Sequence, residues 1–124
     1  MDVIRAAEGT SLDLSDSAIF EGGSVWARRL VGGDTGRGEH VSLGVVQFAS
    51  GARTKRHVHT SDQVLYVVSG IGKVGAGDEE HVIANGDVVL IPAGEDHWHG
   101  AADTGSPMSH LSIMRNDSET TVLE

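Results

Sequence analysis

Short apolar runs separated by glycine-rich breaks dominate the chain, and most of them read as strands. Ser24 to Val31 (SVWARRLV) is the first long one, and Gly32-Gly33-Asp34 with Gly36 to Gly38 predicts a loop after it. His40 to Ala49 (HVSLGVVQFA) is the second, broken by Gly51, and Lys55 to His59 the third. Val64 to Val68 (VLYVV) is β-branched and aromatic, which suits a buried strand. Ser69-Gly70 predicts a turn into Ile71 to Val74, and Gly75 to Glu79 (GAGDE) predicts a hairpin turn that returns through Glu80 to Ala84. After Asn85-Gly86-Asp87, the run Val88 to Ile91 (VVLI) is apolar throughout, which predicts burial on both faces, and Pro92 ends it. His97 to Ala101 starts a further strand, and Met108 to Met114 (MSHLSIM) is the last long one. Residues 1–22 read as an arm with one short strand, and the polar tail from Arg115 to Glu124 reads as loosely held.

Roughly nine or ten evenly spaced strands, with no convincing helix, predict an all-β protein: a Greek-key or jelly-roll antiparallel β-barrel. No linker or long-period repeat interrupts the pattern. The expected organisation is one domain, with an N-terminal arm over 1–22, a barrel over 23–116 and a C-terminal tail over 117–124. At 124 residues the chain can bury a core without staples. The 17 glycines against two prolines agree with many tight turns.

Charge narrows the partners. The formal net charge of −9 leaves no Lys/Arg patch to neutralise phosphates, which argues against nucleic acid and against an anionic membrane surface. Without cysteine there is neither a disulfide framework nor a thiolate metal site. The first residues, MDVIRAAEGTSLDL, lack the apolar core of a signal peptide, and no apolar run approaches the ~20 residues of a membrane span. A cytoplasmic protein is the expectation.

The chemistry lies in the histidines. His57 and His59 are two apart in a strand and so share a face. Gln63 follows a short break at Thr60-Ser61-Asp62, and a strand restarting there can return it to that face. His97, far along the chain, can face the same point in a closed barrel. Three neutral imidazoles and a carbonyl oxygen make a shell for a divalent transition metal, with positions left open for water or substrate.

The spacing of two blocks sharpens this. Gly51, His57, His59, Gln63 and Gly70 form one; Gly86, Pro92, Gly94 and His97 form the other, and fifteen residues separate them. This arrangement resembles the two motifs of the cupin family. The resemblance implies a single-domain cupin barrel of jelly-roll type, with His57, His59, His97 and the Gln63 position as metal ligands. Two positions depart from the pattern: Gln63 stands where Glu is usual, and Ala101 where Asn is usual. An amide in place of a carboxylate leaves no ligand charge, so a bound ion keeps its full +2 and is a stronger Lewis acid. The runs HVHTSDQ, HWHGA and Met108-Ser109-His110 are similar to those of small manganese-dependent cupins of the hydroxynitrile-lyase type. Other small cupins act as polyketide cyclases.

His99 shares the strand face of His97, and the resemblance favours His110 inside the barrel as well. These two are the candidate catalytic residues, as general acid or base beside a metal-bound substrate. Trp98 alternates with them and should face outward; His40 and His81 read as surface residues, and Met108 and Met114 as core lining. The leading reading is a metal-dependent lyase, cyclase or isomerase acting on a small, mainly apolar molecule. Manganese, iron, nickel or zinc are the candidate ions. An Fe(II) dioxygenase and a non-catalytic ligand-binding cupin are the alternatives. The resemblance also implies a homodimer, with residues 1–22 as the natural exchange segment.

Overall fold

Strand pairing accounts for nearly all the regular structure, and no α-helix interrupts it. The computed structural model describes residues 1–124, which form β1 (Leu12–Asp13), β2 (Phe20–Glu21), β3 (Val25–Val31), β4 (Val41–Phe48), β5 (Arg53–Thr54) and β6 (His57–His59). They continue as β7 (Gln63–Ala76), β8 (Glu79–Ala84), β9 (Val88–Ile91), β10 (Trp98–Gly100), β11 (Met108–Arg115) and β12 (Thr120–Val122). The main sheet runs β1-β3-β4-β11-β7-β10-β5-β2, with β8 and β9 also on β7, and β12 pairs β6. All these pairings are antiparallel, and the sheet curls into the expected jelly-roll barrel. No helix is long and apolar enough to cross a membrane.

β7 is the strand on which the barrel turns. Its first half lies between β9 and β11, its second between β8 and β10. The expected turn at Ser69-Gly70 is instead a corner inside this one strand. The register with β11 shifts between Ser109 and His110, and Gly70 takes φ +77° against the Pro107 carbonyl, where a Cβ would collide. A glycine at positive φ serves a bulge as readily as a turn, which is why the sequence pattern reads as a break.

The expected double burial of Val88 to Ile91 is also corrected. β9 alternates, with Val89 and Ile91 turned inward and Val88 and Leu90 outward, 62% and 63% exposed, because the barrel wall is covered on its inner face only. The tail is not loose. β12 supplies the missing partner to the free edge of β6, and the Leu123 amide donates to Arg56 O at 2.9 Å.

The inward faces of β3, β4, β11 and β7 align in rows. Ala27, Val46, His110 and Val67 form one; Arg29, Gly44, Ser112 and Leu65 the next. Val67 of the first row joins Val25, Phe48, Ala52, Val74, Ile83, Ala101 and Met108 below it to make the core, each large side chain contributing about 1.5–3 kcal/mol by burial. Phe48 meets Phe20 edge-on at 5.9 Å and His110 at 5.4 Å, so the apolar core forms the floor of the polar interior above it.

Candidate metal centre

β6 carries His57 and His59 inward on one face, as their spacing of two requires, and both are buried. His97 stands just before β10 and is locked to His57 through the backbone: the His57 amide donates to His97 O at 3.0 Å, and the His97 amide to His57 O at 3.1 Å. The ligand nitrogens of the three rings lie within 4.8 Å of one another. Gln63, the first residue of β7, brings its side chain to the same point.

The outward nitrogens fix the rings. His57 Nδ1 donates to Lys55 O and His97 Nδ1 to Glu95 O, each at 2.8 Å, while His59 Nδ1 is 2.8 Å from Thr120 Oγ1. With Nδ1–H spent on a carbonyl, a neutral ring presents a bare lone pair at Nε2. Gln63 Oε1 lies 3.1 Å from His59 Nε2 and 3.2 Å from His97 Nε2, and its amide nitrogen donates to Ser112 Oγ at 2.9 Å. The Nε2 lone pairs of His57 and His97 and the Gln63 oxygen therefore converge with no proton between them, and His59 joins them when its Nδ1–H donates to the Thr120 hydroxyl. That donor set fits a cation, and it fits a borderline transition-metal ion better than a hard one.

The electrostatics agree. Burial pushes His57 down to about 4, against the opposing Lys55 carbonyl, with repulsion from His97 and His59 adding to the fall. Burial likewise lowers His59 to about 4, and it lowers His97 despite the Glu95 carbonyl. All three are neutral at pH 7, the protonation state a metal ligand needs.

A second pair sits deeper. His99 and His110 face inward from β10 and β11, and His110 Nε2 is 3.0 Å from His99 Nδ1. The outer nitrogens of this pair, His99 Nε2 and His110 Nδ1, are buried without a hydrogen-bond partner. His99 stacks on His97 at 5.7 Å, and its backbone amide donates to Thr54 Oγ1 at 3.0 Å. Burial holds His99 well below the ordinary imidazole value and lowers His110 to about 4. His57, His59, Gln63, His99 and His110 line one cavity of about 600 Å³, which is the size of a small-ligand site.

All six expected site residues thus come together in space. Trp98 faces outward as its parity requires, lying over Gly75 with the Arg53 guanidinium 3.8 Å above its ring. His40 and His81 are exposed. Sequence reasoning missed Thr120, Thr54 and Ser112 as supporting residues. Only Ser112 left a signal, since it shares a strand face with His110.

Residues 44–114 match the Cupin domain family model. Over 73 residues the chain is 47% identical to an (R)-mandelonitrile lyase of Granulicella tundricola, covering 56% of this chain and 53% of that one. It is 34% identical over 61 residues to an uncharacterized protein of Streptomyces coelicolor, 49% of this chain and 58% of that one. The chain thus spans little more than half the length of these curated relatives. Among solved structures, a cupin-like protein of Thermotoga maritima superposes with a TM-score of 0.78 at 30% identity, covering 99% of this chain and 89% of that one. A polyketide cyclase of Streptomyces resistomycificus gives 0.83 at 16% identity over 100% and 86%, a likeness of fold alone.

Proposed function

Because the chain belongs to the cupin family, we propose that it is a divalent-metal enzyme of the hydroxynitrile-lyase type, cleaving or forming a small cyanohydrin. The observation that carries this is the convergence of bare ring nitrogens beside a second, proton-bridged histidine pair in one cavity. The 47% identity to an (R)-mandelonitrile lyase supports the reaction class.

His57, His59, His97 and Gln63 would hold the ion. When bound, it supplies Lewis acidity toward the substrate oxygen and stabilises the negative charge that develops there. His99 is the base. Its Nδ1–H donates to His110 Nε2, which leaves His99 Nε2 free to take the hydroxyl proton. As that proton leaves, the carbonyl forms, the carbon–carbon bond to the nitrile breaks, and cyanide departs with the electron pair. The imidazolium so formed is a strong acid in this buried setting, so it returns the proton to cyanide. His110 accepts from the charged ring throughout and holds it in place.

The test is metal content by mass spectrometry, with cleavage of (R)-mandelonitrile followed by benzaldehyde release. About one divalent ion per chain, absent from a His57→Ala, His59→Ala double variant, with cleavage tracking the ion, is the expected result. A metal-loaded protein without cleavage of cyanohydrins overturns the reaction. Protein that takes up no ion overturns the site.

A further inference from the structure

One cation in the cavity has no partner. Of the nine Lys and Arg side chains, six donate to an acidic side chain or a backbone carbonyl: Arg28, Arg37, Arg53, Arg56, Lys73 and Arg115. Arg5, Lys55 and Arg29 do not, and only Arg29 of these lines the cavity that holds the histidines. Arg29 shares a strand face with buried Val25 and with half-buried Ala27, and it is itself exposed, at the mouth of the cavity. Its neighbour Arg28 also borders the cavity, but its guanidinium is spent on the Ala6 carbonyl at 2.6 Å and ties down the arm.

The guanidinium is also seated. Gly33, at φ +56°, lies against it, and a Cβ there would occupy the space of Nη1 and Cδ. Arg29, Gly44 and Ser112 are successive partners across β3, β4 and β11. Gly44 carries no side chain to fill the gap, and Ser112 accepts from the Gln63 amide. At about 4.8 Å per strand, the Arg29 backbone stands roughly 10 Å from Ser112. The unpaired cation and His57, His59, His99 and His110 therefore border the same cavity. Asp34, also on this rim, makes no ion pair with it. In a chain of net charge −9, an exposed guanidinium at the cavity mouth, left free of every carboxylate, is a recognition element for an anion brought from outside.

We propose that Arg29 is the specificity residue of this cavity, and that the substrate carries a carboxylate at the end away from the histidine cluster. The substrate is then an aldehyde, ketone or hydroxy compound whose reacting oxygen and carboxylate are held apart by a flat ring or short chain. This rests on the reading of the cavity as a substrate site, but its test does not depend on turnover.

The probes are 4-carboxybenzaldehyde and its neutral isostere 4-carbamoylbenzaldehyde, titrated by calorimetry against metal-loaded and metal-stripped protein. In the wild type the carboxylate binds about tenfold tighter than the amide in both forms. Arg29→Gln brings the ratio to about one, Arg29→Lys keeps part of it, and Arg115→Gln, an exposed arginine outside the cavity, leaves it unchanged. Thermal melts check that each variant is folded. A ratio near one in the wild type, a ratio that survives Arg29→Gln, or no saturable carboxylate binding at millimolar concentration overturns the proposal. If (R)-mandelonitrile is not cleaved yet the tenfold ratio holds and follows Arg29, the reaction class fails and the carboxylate preference stands.

Discussion

Two groups of histidine lie side by side, His99 against both His57 and His97, and differ in where their protons can go. In the group formed by His57, His59 and His97, each Nδ1 has an outside partner: Lys55 O, Thr120 Oγ1 and Glu95 O. The two carbonyls hold the protons of His57 and His97 on the outer nitrogens and turn their lone pairs inward, and the Thr120 hydroxyl can accept the His59 proton in the same way. The pair His99 and His110 has only itself, and one proton bridges it while both far nitrogens go without partners. Burial makes every ring neutral, so burial does not separate the groups. The difference lies in the hydrogen bonds behind the rings: a fixed proton suits a ring to the proposed ligand role, and a shared proton suits a pair to the proposed relay.

Removing a ligand and removing the relay should therefore fail differently. His59→Ala loses the ion, and with it the several kcal/mol of charge stabilisation a metal supplies, which is roughly three orders of magnitude in kcat/KM. His99→Gln should keep about one ion per chain while kcat falls by about 100-fold, the loss expected for a general base. Metal analysis beside steady-state kinetics checks both. An ion lost from His99→Gln would make the deeper pair part of the metal site and dissolve the distinction.

Much of the ligand group was legible in the sequence, because a spacing of two on a strand settles which side chains share a face. His97 needed the second block of glycines and proline to be recognised. What stayed hidden was whatever lies far away along the chain or uses a signal with two meanings. Thr120 meets His59 across 61 residues, from a tail whose polar composition resembles a loose end. Gly70 carries the mark of a turn and sits in a corner of an unbroken strand. Val88 and Leu90 look like core and face solvent, because hydropathy does not say that the outer face of the barrel is left uncovered here. Nothing in the sequence sets Arg29 apart from the other arginines; its place at the cavity mouth and its missing partner come only from the fold.

The relay also has a pH signature. His110 is lowered to about 4 from 6.5 by burial. The unfolded chain takes up its proton below about 6.5, whereas the folded chain does not until about 4. Stability is therefore intact above that window and falls as the pH drops through it, by about 3 kcal/mol in all for this group. In metal-stripped protein, His110→Gln should make the slope of unfolding free energy against pH shallower by ~1.4 kcal/mol per unit between those limits. Denaturant unfolding at a series of pH values measures it. An unchanged slope would mean that His110 is already charged in the fold, and the pair would then be no neutral relay.

The smallest expected effect probes the outer partners themselves. Thr120→Val keeps the shape of the side chain and removes the one hydroxyl within reach of His59 Nδ1. β12 stays paired with β6 through its backbone, so the strand remains in place and only the hydrogen bond is lost. The His59 ring then keeps a buried nitrogen with no partner, and its inward lone pair is no longer held by a fixed tautomer. Metal affinity should fall about tenfold, and metal-free stability by about 1 kcal/mol. Competition with a chelating dye gives the first quantity and thermal unfolding the second. An affinity unchanged by the substitution would mean that packing against His57, whose ring centroid is 4.8 Å away, orients His59 unaided. The ligand group would then differ from the relay by position in the cavity and not by the bonds behind its rings.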